Sequence, residues 1–195
     1  MRKLVAPVAG AIEEVLRKWG KKVFYQNFTL PNGAPHRFLA LEGTTVPAII
    51  LAITSDQQVI AVRQFRYGAN AFVLELPGGC PDREGEPPEE TLRKELRQET
   101  GYEPGKVVEV GGLMWFEPAS VRARYRAFLA TGCHYVGEPE PDEAEVMQVE
   151  LYPLQAWVVM IGDGTLKDDK TIAVTTRGLF HLGWKFGLAA PSPAA

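Results

Sequence analysis

The sequence predicts an α+β fold in which strands outnumber helices. Short runs rich in β-branched and aromatic residues recur along the chain, turn signals separate them, and helical periodicity is confined to a few isolated segments. There is no internal repeat, and helices do not alternate with strands as a doubly wound sheet requires. We therefore expect an α+β or α/β sandwich.

Length and composition exclude several classes of protein. The 195 residues argue for one domain, two at most, and 46% apolar with 23% charged residues is typical of a globular chain. A net charge of −3 speaks against a broad basic face for nucleic acid. The cysteines, Cys80 and Cys133, are too few for a disulfide framework, and no apolar run is long enough to span a membrane. We expect a cytoplasmic protein without nucleic-acid or membrane partners.

The N-terminal part is predicted to be a helix followed by a β-hairpin. Apolar residues recur at helical spacing over Val8–Trp19, and Gly20 can end that helix. Strands are predicted over Val23–Leu30 and Arg37–Leu41. The expected division is 1–44 for this extension, 45–188 for the main domain and 189–195 for a flexible tail.

The remaining elements alternate between apolar runs and three helical segments. A helix is predicted over Pro88–Thr100, because acidic residues fill its first turn and Gly101 can cap its end. Further helical segments are predicted over Pro153–Ile161 and Lys170–Gly187. Strands are predicted over Val46–Ile53, Val59–Phe65, Ala71–Leu76, Val107–Met114, Arg124–Ala130 and Val146–Leu151.

The segment Glu75–Tyr102 carries most of the chemistry. It consists of a strand, a glycine-rich acidic loop and a helix with carboxylates on one side. Glu95 and Glu99 are one turn apart and are predicted to form a solvent-facing stripe, with Gln98 beside them. Such a stripe next to exposed carbonyl groups can bind Mg²⁺ or Mn²⁺. A solvated face held by ion pairs is the alternative, and the spacing leaves both open.

This segment resembles the Nudix box, G-x5-E-x7-R-E-U-x-E-E-x-G-U, where U is apolar. Two further motifs resemble the ADP-ribose pyrophosphatase-like branch of Nudix hydrolases: VRQFRYG followed by ELPGG, and GDGTLKDDKT near the end of the chain. The resemblance covers about residues 46–186. The residues that correspond to the box are Gly79, Glu86, Lys94, Glu95, Gln98, Glu99 and Gly101.

Three positions depart from the box. Either Cys80 stands where the box has its first glycine, or Gly79 is that glycine and the loop has one extra residue. Lys94 replaces an arginine, so an ammonium group stands where the box has a guanidinium that can donate two parallel hydrogen bonds. Gln98 replaces a glutamate, so one possible metal ligand has lost its charge. These departures leave open a degenerate domain that binds a nucleotide or a partner without turnover.

The resemblance implies an α/β/α sandwich with a mixed sheet, and hydrolysis that depends on Mg²⁺ or Mn²⁺. The substrate would be a nucleoside diphosphate linked to another moiety, of the ADP-ribose or nucleotide-sugar type, and the products two monophosphates. A GDP-sugar, a dinucleotide or a coenzyme is the alternative substrate. The family also implies a homodimer in which the N-terminal hairpin contacts the partner.

The site residues follow from the same resemblance. Metal binding falls to Glu95, Glu99 and the carbonyl of Gly78, with Gln98 as a weaker ligand. A further carboxylate is expected from a loop after the box, as catalytic base or ligand. Strand alternation favours Glu145 for this role, with Glu143 second and Glu99 as a third catalytic candidate.

Arginines of the VRQFRYG motif are candidates for substrate binding. Arg66 can hold a phosphate or a ribose, with an exposed ion pair as the equal alternative, and Arg63 is the second candidate. Four aromatic residues can stack on a base but are predicted instead to belong to the core: Phe65, Tyr67, Phe72 and Trp115.

Overall fold

The computed structural model describes residues 4–43 and 45–185. Within them the chain forms strands and helices in this order: β1 (Val8–Lys18), β2 (Lys21–Thr29), β3 (Pro35–Gly43), β4 (Ala48–Thr54), β5 (Gln58–Arg66), β6 (Ala71–Glu75), β7 (Gly78–Gly79), α1 (Pro88–Thr100), β8 (Tyr102–Glu103), β9 (Lys106–Glu117), β10 (Val121–Tyr135), β11 (Met147–Pro153), α2 (Leu154–Gly162) and α3 (Asp169–His181). The predicted α+β class is confirmed.

The strands form one mixed sheet with the main order β1-β2-β3-β10-β4-β5-β11. Strand β10 is parallel to β3 and β4, whereas β9 pairs with it antiparallel. Strand β5 is antiparallel to β4, β6 and β11. The N-terminal strands β1–β3 form an antiparallel ribbon that reaches the central sheet through the short pairing of β3 with β10.

Helices cover both faces of the central sheet. On one face Leu92 and Leu96 of α1 pack with Ile50 of β4. On the other face Trp157 of α2 and Leu179 of α3 pack in the cluster that contains Leu51. Since neighbouring residues of a strand point to opposite faces, the fully buried β4 supplies both cores. This arrangement is the α/β/α sandwich that the sequence analysis predicted.

The predicted N-terminal helix is wrong, because Val8–Lys18 is a strand paired with β2. Its register shifts between Ala9 and Ile12 and between Glu14 and Leu16. Each bulge moves the apolar residues out of strict alternation, which produces a spacing that imitates a helix. All eleven residues of β1 are exposed, so the segment does not pack on the core. A helix at this position would lack the tertiary packing that stabilises most helices in proteins.

The other predicted elements lie within a few residues of the observed ones, and α1 has the predicted bounds. Helix α3 ends at His181, so its predicted extension is wrong for residues 182–185, and residues 186–187 lie outside the described ones. Chain reversal at Gly183, with φ +85°, ends it. The division at residue 44 stays a prediction, and the predicted tail, 189–195, also lies outside the described residues.

The described helices contain at most 13 residues, and none has the length and apolar character of a bilayer-spanning segment.

Trp157 and Thr175 join α2 to α3 through a hydrogen bond inside the core. The Trp157 indole N–H donates to the Thr175 hydroxyl at 3.0 Å, and both side chains are fully buried. We expect Trp157→Phe to lower the free energy of unfolding by about 1–3 kcal/mol, because it removes packing and the donor. Thermal unfolding should show a melting temperature lower by about 2–4 °C per kcal/mol.

A double-mutant cycle with Thr175→Val checks the hydrogen bond. Once the indole is gone, deleting the hydroxyl should cost less than it does in the wild type. Strictly additive losses would contradict a coupling between the two side chains.

Candidate active site

Helix α1 brings two glutamates against the short strand β7. The backbone N–H of Gly78 donates to Glu99 Oε2 at 3.1 Å, and Glu99 is only 3% exposed. Glu95, one turn earlier, is half-buried beside Gly79. The prediction that Glu99 faces solvent is therefore wrong, because the stripe beside Leu92 and Leu96 is turned towards the loop.

The two glycines of β7 lie in close contact with β4 and α1. A Cβ at Gly78 would overlap the backbone of Ala48 on β4, and a Cβ at Gly79 would overlap the carboxyl group of Glu95. A Cβ at Gly78 would push β7 away from β4, because it meets backbone atoms, whereas a Cβ at Gly79 would displace the carboxyl group of Glu95 from its position. The identification of Gly79 as the box glycine is consistent with this contact, while Cys80 lies exposed at the next position.

Burial makes the two carboxyl groups weak acids in the metal-free protein. Desolvation raises the pKa of Glu99 to about 8, although the hydrogen bond from Gly78 works in the opposite direction. Desolvation also raises the pKa of Glu95 to about 7, and the charge of Glu145 adds to this shift. Burial penalises the ionised form of both groups, whereas the negative charge of the neighbouring carboxylates favours a positive charge at this position.

Lys94 connects the acidic groups of the box. Its ammonium pairs with Asp82 and lies 3.8 Å from carboxylate oxygens of both Glu86 and Glu95. Glu86 is buried and accepts a hydrogen bond from the Thr91 hydroxyl at 2.7 Å, which is the main reason why its pKa is lowered. Lys94 thus links the loop to α1 from the position where the box has an arginine.

Glu145 lies where a small acidic pocket meets a large cleft. The pocket has a volume of about 80 Å³ and is lined by Asp82, Glu95, Gln98, Glu140, Asp142 and Glu145. Glu145 also lines the cleft, as does Glu99. Its carboxylate accepts a hydrogen bond from the backbone N–H of Asp142 at 3.1 Å. Glu143 is exposed and lines neither space.

The donor set fits a hard divalent cation. Within residues 4–43 and 45–185, no group of three or more carboxylates, thiols or imidazoles converges as a complete metal site. Mg²⁺ needs no such cage, since it commonly takes one or two carboxylates and fills its other positions with water and phosphate oxygens. Glu95 and Glu99 supply two carboxylates of this kind. The roles of Gln98 and of the Gly78 carbonyl as ligands stay predictions.

Arg63 lines the cleft but is already paired. Its guanidinium donates to both carboxylate oxygens of Glu150, at 2.6 and 2.9 Å. This pairing lowers the pKa of Glu150 to about 2. The strands β5 and β11 hold the pair in place, because Glu150 lies opposite Ala61 on the same face as Arg63.

Arg66 lies on the other face of β5 and contacts Glu75 of β6. Its Nε donates to Glu75 Oε2 at 2.5 Å. Glu75 is 5% exposed, and burial raises its pKa although Arg66 opposes the shift. The predicted ion pair of Arg66 is present, and the guanidinium still lines the cleft. Sequence reasoning gave Glu75 no role, although it begins the quoted ELPGG motif.

The cleft has a volume of about 1300 Å³, and its walls are aromatic and basic as well as acidic. Tyr67 and Phe72 are 71% and 56% exposed, and Phe65 contacts both rings edge-on. Trp115 is exposed outside the cleft. The prediction that these aromatic residues belong to the core is therefore wrong for Tyr67, Phe72 and Trp115, whereas Phe65 is half-buried. Cationic side chains on the walls are Lys21, Arg63, Arg66, Lys167 and Lys170.

The GDGTLKDDKT motif closes one end of the cleft through the start of α3. Asp168 caps the helix by accepting from the Thr171 backbone N–H at 2.8 Å, and Lys170 pairs with Asp168. The Thr171 hydroxyl accepts from the backbone N–H of Leu76 at 3.1 Å, which fastens the helix to the loop before β7. The sequence placed this motif in the family but gave its residues no structural role.

A family model described as "NUDIX domain" matches residues 44–173, well over half of the chain. The chain belongs to the Nudix family. Two ADP-ribose pyrophosphatases are similar to it. The enzyme from Bacillus subtilis (strain 168) is 28% identical over 150 residues, 76% of this chain and 80% of the relative. The enzyme from Mycobacterium tuberculosis is 34% identical over 109 residues, 54% of this chain and 51% of the relative.

A GDP-mannose pyrophosphatase from Pectobacterium atrosepticum is 29% identical over 147 residues, 70% of this chain and 72% of the relative. The fold of this Nudix protein is similar to that of a crystal structure described as an ADP compounds hydrolase. The TM-score is 0.80 at 18% identity, over 94% of this chain and 97% of the other. The predicted resemblance to the ADP-ribose pyrophosphatase-like branch is confirmed.

The raised pKa values of Glu95 and Glu99 predict a metal-free protein that loses stability as the pH rises. In the folded chain the two groups keep their protons up to about pH 7 and about pH 8, whereas their ordinary pKa is 4.5. Between these values the unfolded chain binds fewer protons, so the free energy of unfolding falls with increasing pH. In chelator the melting temperature should therefore drop between about pH 5 and about pH 8.5.

Substitution Glu99→Gln should remove the larger part of this slope, since an amide does not titrate, and leave the part that is due to Glu95. The matched control is Glu103→Gln, an exposed position on β8, which should keep the slope of the wild type. If Glu99→Gln and the wild type lose stability in parallel over this pH range, the raised pKa of Glu99 is refuted.

Proposed function

We propose that this Nudix pyrophosphohydrolase cleaves the diphosphate bond of a nucleoside diphosphate linked to a sugar, of the ADP-ribose type, with Mg²⁺ as cofactor. Family membership and the similarity to ADP-ribose and GDP-mannose pyrophosphatases support the reaction class. The observation that carries the proposal is the position of Glu145. It lines both the acidic pocket beside Glu95 and the cleft beside Glu99.

The residues divide the reaction between them. Glu95 and Glu99, with the Gly78 carbonyl, would hold the cation, which neutralises diphosphate charge and makes bound water more acidic. Glu145 accepts the proton of the attacking water on its carboxylate. The water oxygen forms a bond to one phosphorus, the bridging P–O bond breaks, and two monophosphates leave.

Arginines on the wall of the cleft complete the proposed substrate site. Arg66 is oriented by Glu75 and presents its guanidinium to a phosphate of the substrate. Arg63 uses Nε and Nη2 for Glu150, so its Nη1 is the nitrogen that we assign to substrate. Tyr67 and Phe72 offer exposed rings to a base.

The alternative of a degenerate, non-catalytic domain is not favoured. Lys94 still links the loop to α1 through Asp82, Glu86 and Glu95, as a box arginine would. Gln98 faces the acidic pocket, where its amide oxygen can still coordinate. The loss of one carboxylate leaves Glu95 and Glu99 in place.

A substrate panel tests the proposal. We expect the purified protein with millimolar Mg²⁺ to convert ADP-ribose to AMP and ribose phosphate, separated by anion-exchange chromatography, and chelator to abolish the reaction. GDP-mannose and a dinucleotide serve as competing substrates. Failure to cleave any diphosphate, together with tight binding of a nucleotide, would establish the non-catalytic alternative instead.

The two loop glutamates provide a matched pair of variants. Glu145→Gln should reduce kcat by about 100-fold or more, because it removes the proton acceptor next to the cleft. Glu143→Gln, two residues away and exposed, should change kcat by less than about twofold. Steady-state kinetics and melting curves of both variants give the comparison. Equal losses of kcat in the two variants, or a larger loss for Glu143→Gln, would show that Glu145 is not the catalytic base.

We also propose a homodimer in which the ribbon β1–β3 contacts the partner. All residues of β1 are exposed, including Val8, Ile12, Val15 and Leu16. An edge strand with apolar side chains and unpaired backbone groups is a natural surface for a second copy of the chain. The predicted contact through the hairpin thus extends to β1.

Charged substitutions in β1 test this assembly. Sedimentation velocity at micromolar concentration should show a dimer for the wild type and a monomer for Ile12→Asp/Leu16→Asp, because burying two carboxylates opposes association. Val159→Asp on α2, at a comparably exposed apolar position, is the control and should remain dimeric. A monomeric wild type would exclude the dimer.

We also propose that the reaction takes place in the cytoplasm. Cys80 and Cys133 are both free thiols, and Cys80 is exposed on the wall of the cleft. A reducing compartment keeps such a thiol in this state.

A further inference from the structure

Gln64 has a buried amide oxygen that nothing in the described chain satisfies. The residue is 4% exposed, and its Oε1 is the one buried side-chain polar atom without a hydrogen-bond partner in residues 4–43 and 45–185. Folded proteins pair nearly all such atoms, because an unpaired buried acceptor lowers stability. An exception on the wall of a cleft therefore points to a partner that arrives with a ligand.

The backbone places Gln64 on the same side of the sheet as α1. Gln64 lies two residues after Val62 on β5, and Val62 is directly opposite Val149, which packs under α1. Residues of equal parity share a face, so Gln64 projects to that side together with Arg66. Glu75, opposite Val62 on β6, faces the same way.

The chemistry of this face determines what can pair with the amide oxygen. Glu75, Glu99 and Glu145 line the same cleft, and once Arg66 and a bound cation keep these groups ionised they only accept hydrogen bonds. The oxygens of a diphosphate are acceptors as well. Arg66, the neighbouring donor on β5, is engaged by Glu75. A substrate that fills the cleft beside Gln64 can satisfy this acceptor with a donor of its own, and its sugar hydroxyls are such donors.

We propose that Gln64 is a substrate-binding residue whose amide oxygen accepts a hydrogen bond from a hydroxyl of a sugar attached to the diphosphate, an inference that rests on the function proposed above. In the free protein this oxygen accepts no hydrogen bond from the described residues. Binding of a substrate with that hydroxyl satisfies it, whereas a substrate without the hydroxyl leaves it unpaired. Gln64 thereby selects for the hydroxyl.

Deoxy analogues of the substrate test the proposal in the wild type. The panel consists of ADP-ribose and analogues that each lack one hydroxyl of one ribose. We expect about tenfold lower kcat/KM for one of them, chiefly through KM, since a site that hydrogen-bonds a hydroxyl rejects the compound without it. Equal kcat/KM for all analogues would overturn the proposal even if no variant of Gln64 folds.

The variant Gln64→Met removes the acceptor and keeps the length of the side chain. It should lower kcat/KM for ADP-ribose about tenfold, again through KM, and leave the value for the discriminated deoxy analogue unchanged. It should also raise the melting temperature of the free protein by about 2–4 °C, because an unsatisfied polar atom is gone. A gain in stability with a loss of substrate binding is not the result of a merely structural residue.

Gln26→Met is the matched control for stability. Gln26 is as buried as Gln64, but its Oε1 accepts a hydrogen bond from Arg122, so this variant should lower the melting temperature. If Gln64→Met weakens all substrates equally, Oε1 does not discriminate the hydroxyl and the proposal is overturned. A wild type that cleaves no diphosphate refutes the proposed function itself. A fully active wild type with equal kcat/KM for all deoxy analogues refutes only the role of Gln64.

Discussion

The close packing of α1 on β7 is the constraint on which the site depends. Because Gly78 and Gly79 lack side chains, the backbone of β7 comes within hydrogen-bonding distance of Glu99 and contacts the carboxyl group of Glu95. The same approach removes water from both carboxyl groups and raises their pKa values. The close approach of the glycines therefore determines both the position of the two candidate ligands and their raised pKa values. A looser helix would leave two ordinary exposed glutamates.

Much of the fold follows from local patterns in the sequence. Helix α1 has the predicted bounds, because its acidic first turn and the cap at Gly101, with φ +76°, are local signals. The error at Val8–Lys18 arose because two bulges gave a strand the spacing of a helix. A bulge depends on the partner strand β2, which no local pattern reports. The exposure of β1 on both faces likewise cannot be predicted from its own sequence, because it depends on what the strand packs against.

The candidate site was predictable where it depends on the box and unpredictable where it depends on pairing across the sheet. Glu95 and Glu99 follow from helical spacing together with the resemblance. The burial of Glu99 does not, because spacing cannot tell which polar stripe faces a loop. Glu75 acquires its partner Arg66 only through the pairing of β5 with β6. The preference for Glu145 over Glu143, by contrast, came from strand alternation, and Glu145 lines both the pocket and the cleft whereas Glu143 lines neither.

Strand β5 shows how one element serves both the core and the site. Its first half, from Val59 to Val62, is buried on both faces and packs in the two hydrophobic clusters. From Arg63 onward the strand is still paired, yet the side chains of Arg63, Gln64 and Arg66 are polar, and each face acquires its own chemistry. Arg63 is held by Glu150 on one face, while Gln64 stands opposite Met147 on the other. Where a strand changes from apolar to polar side chains while its hydrogen-bonded pairing continues, it no longer packs in a hydrophobic core. In β5 this change occurs at the edge of the cleft.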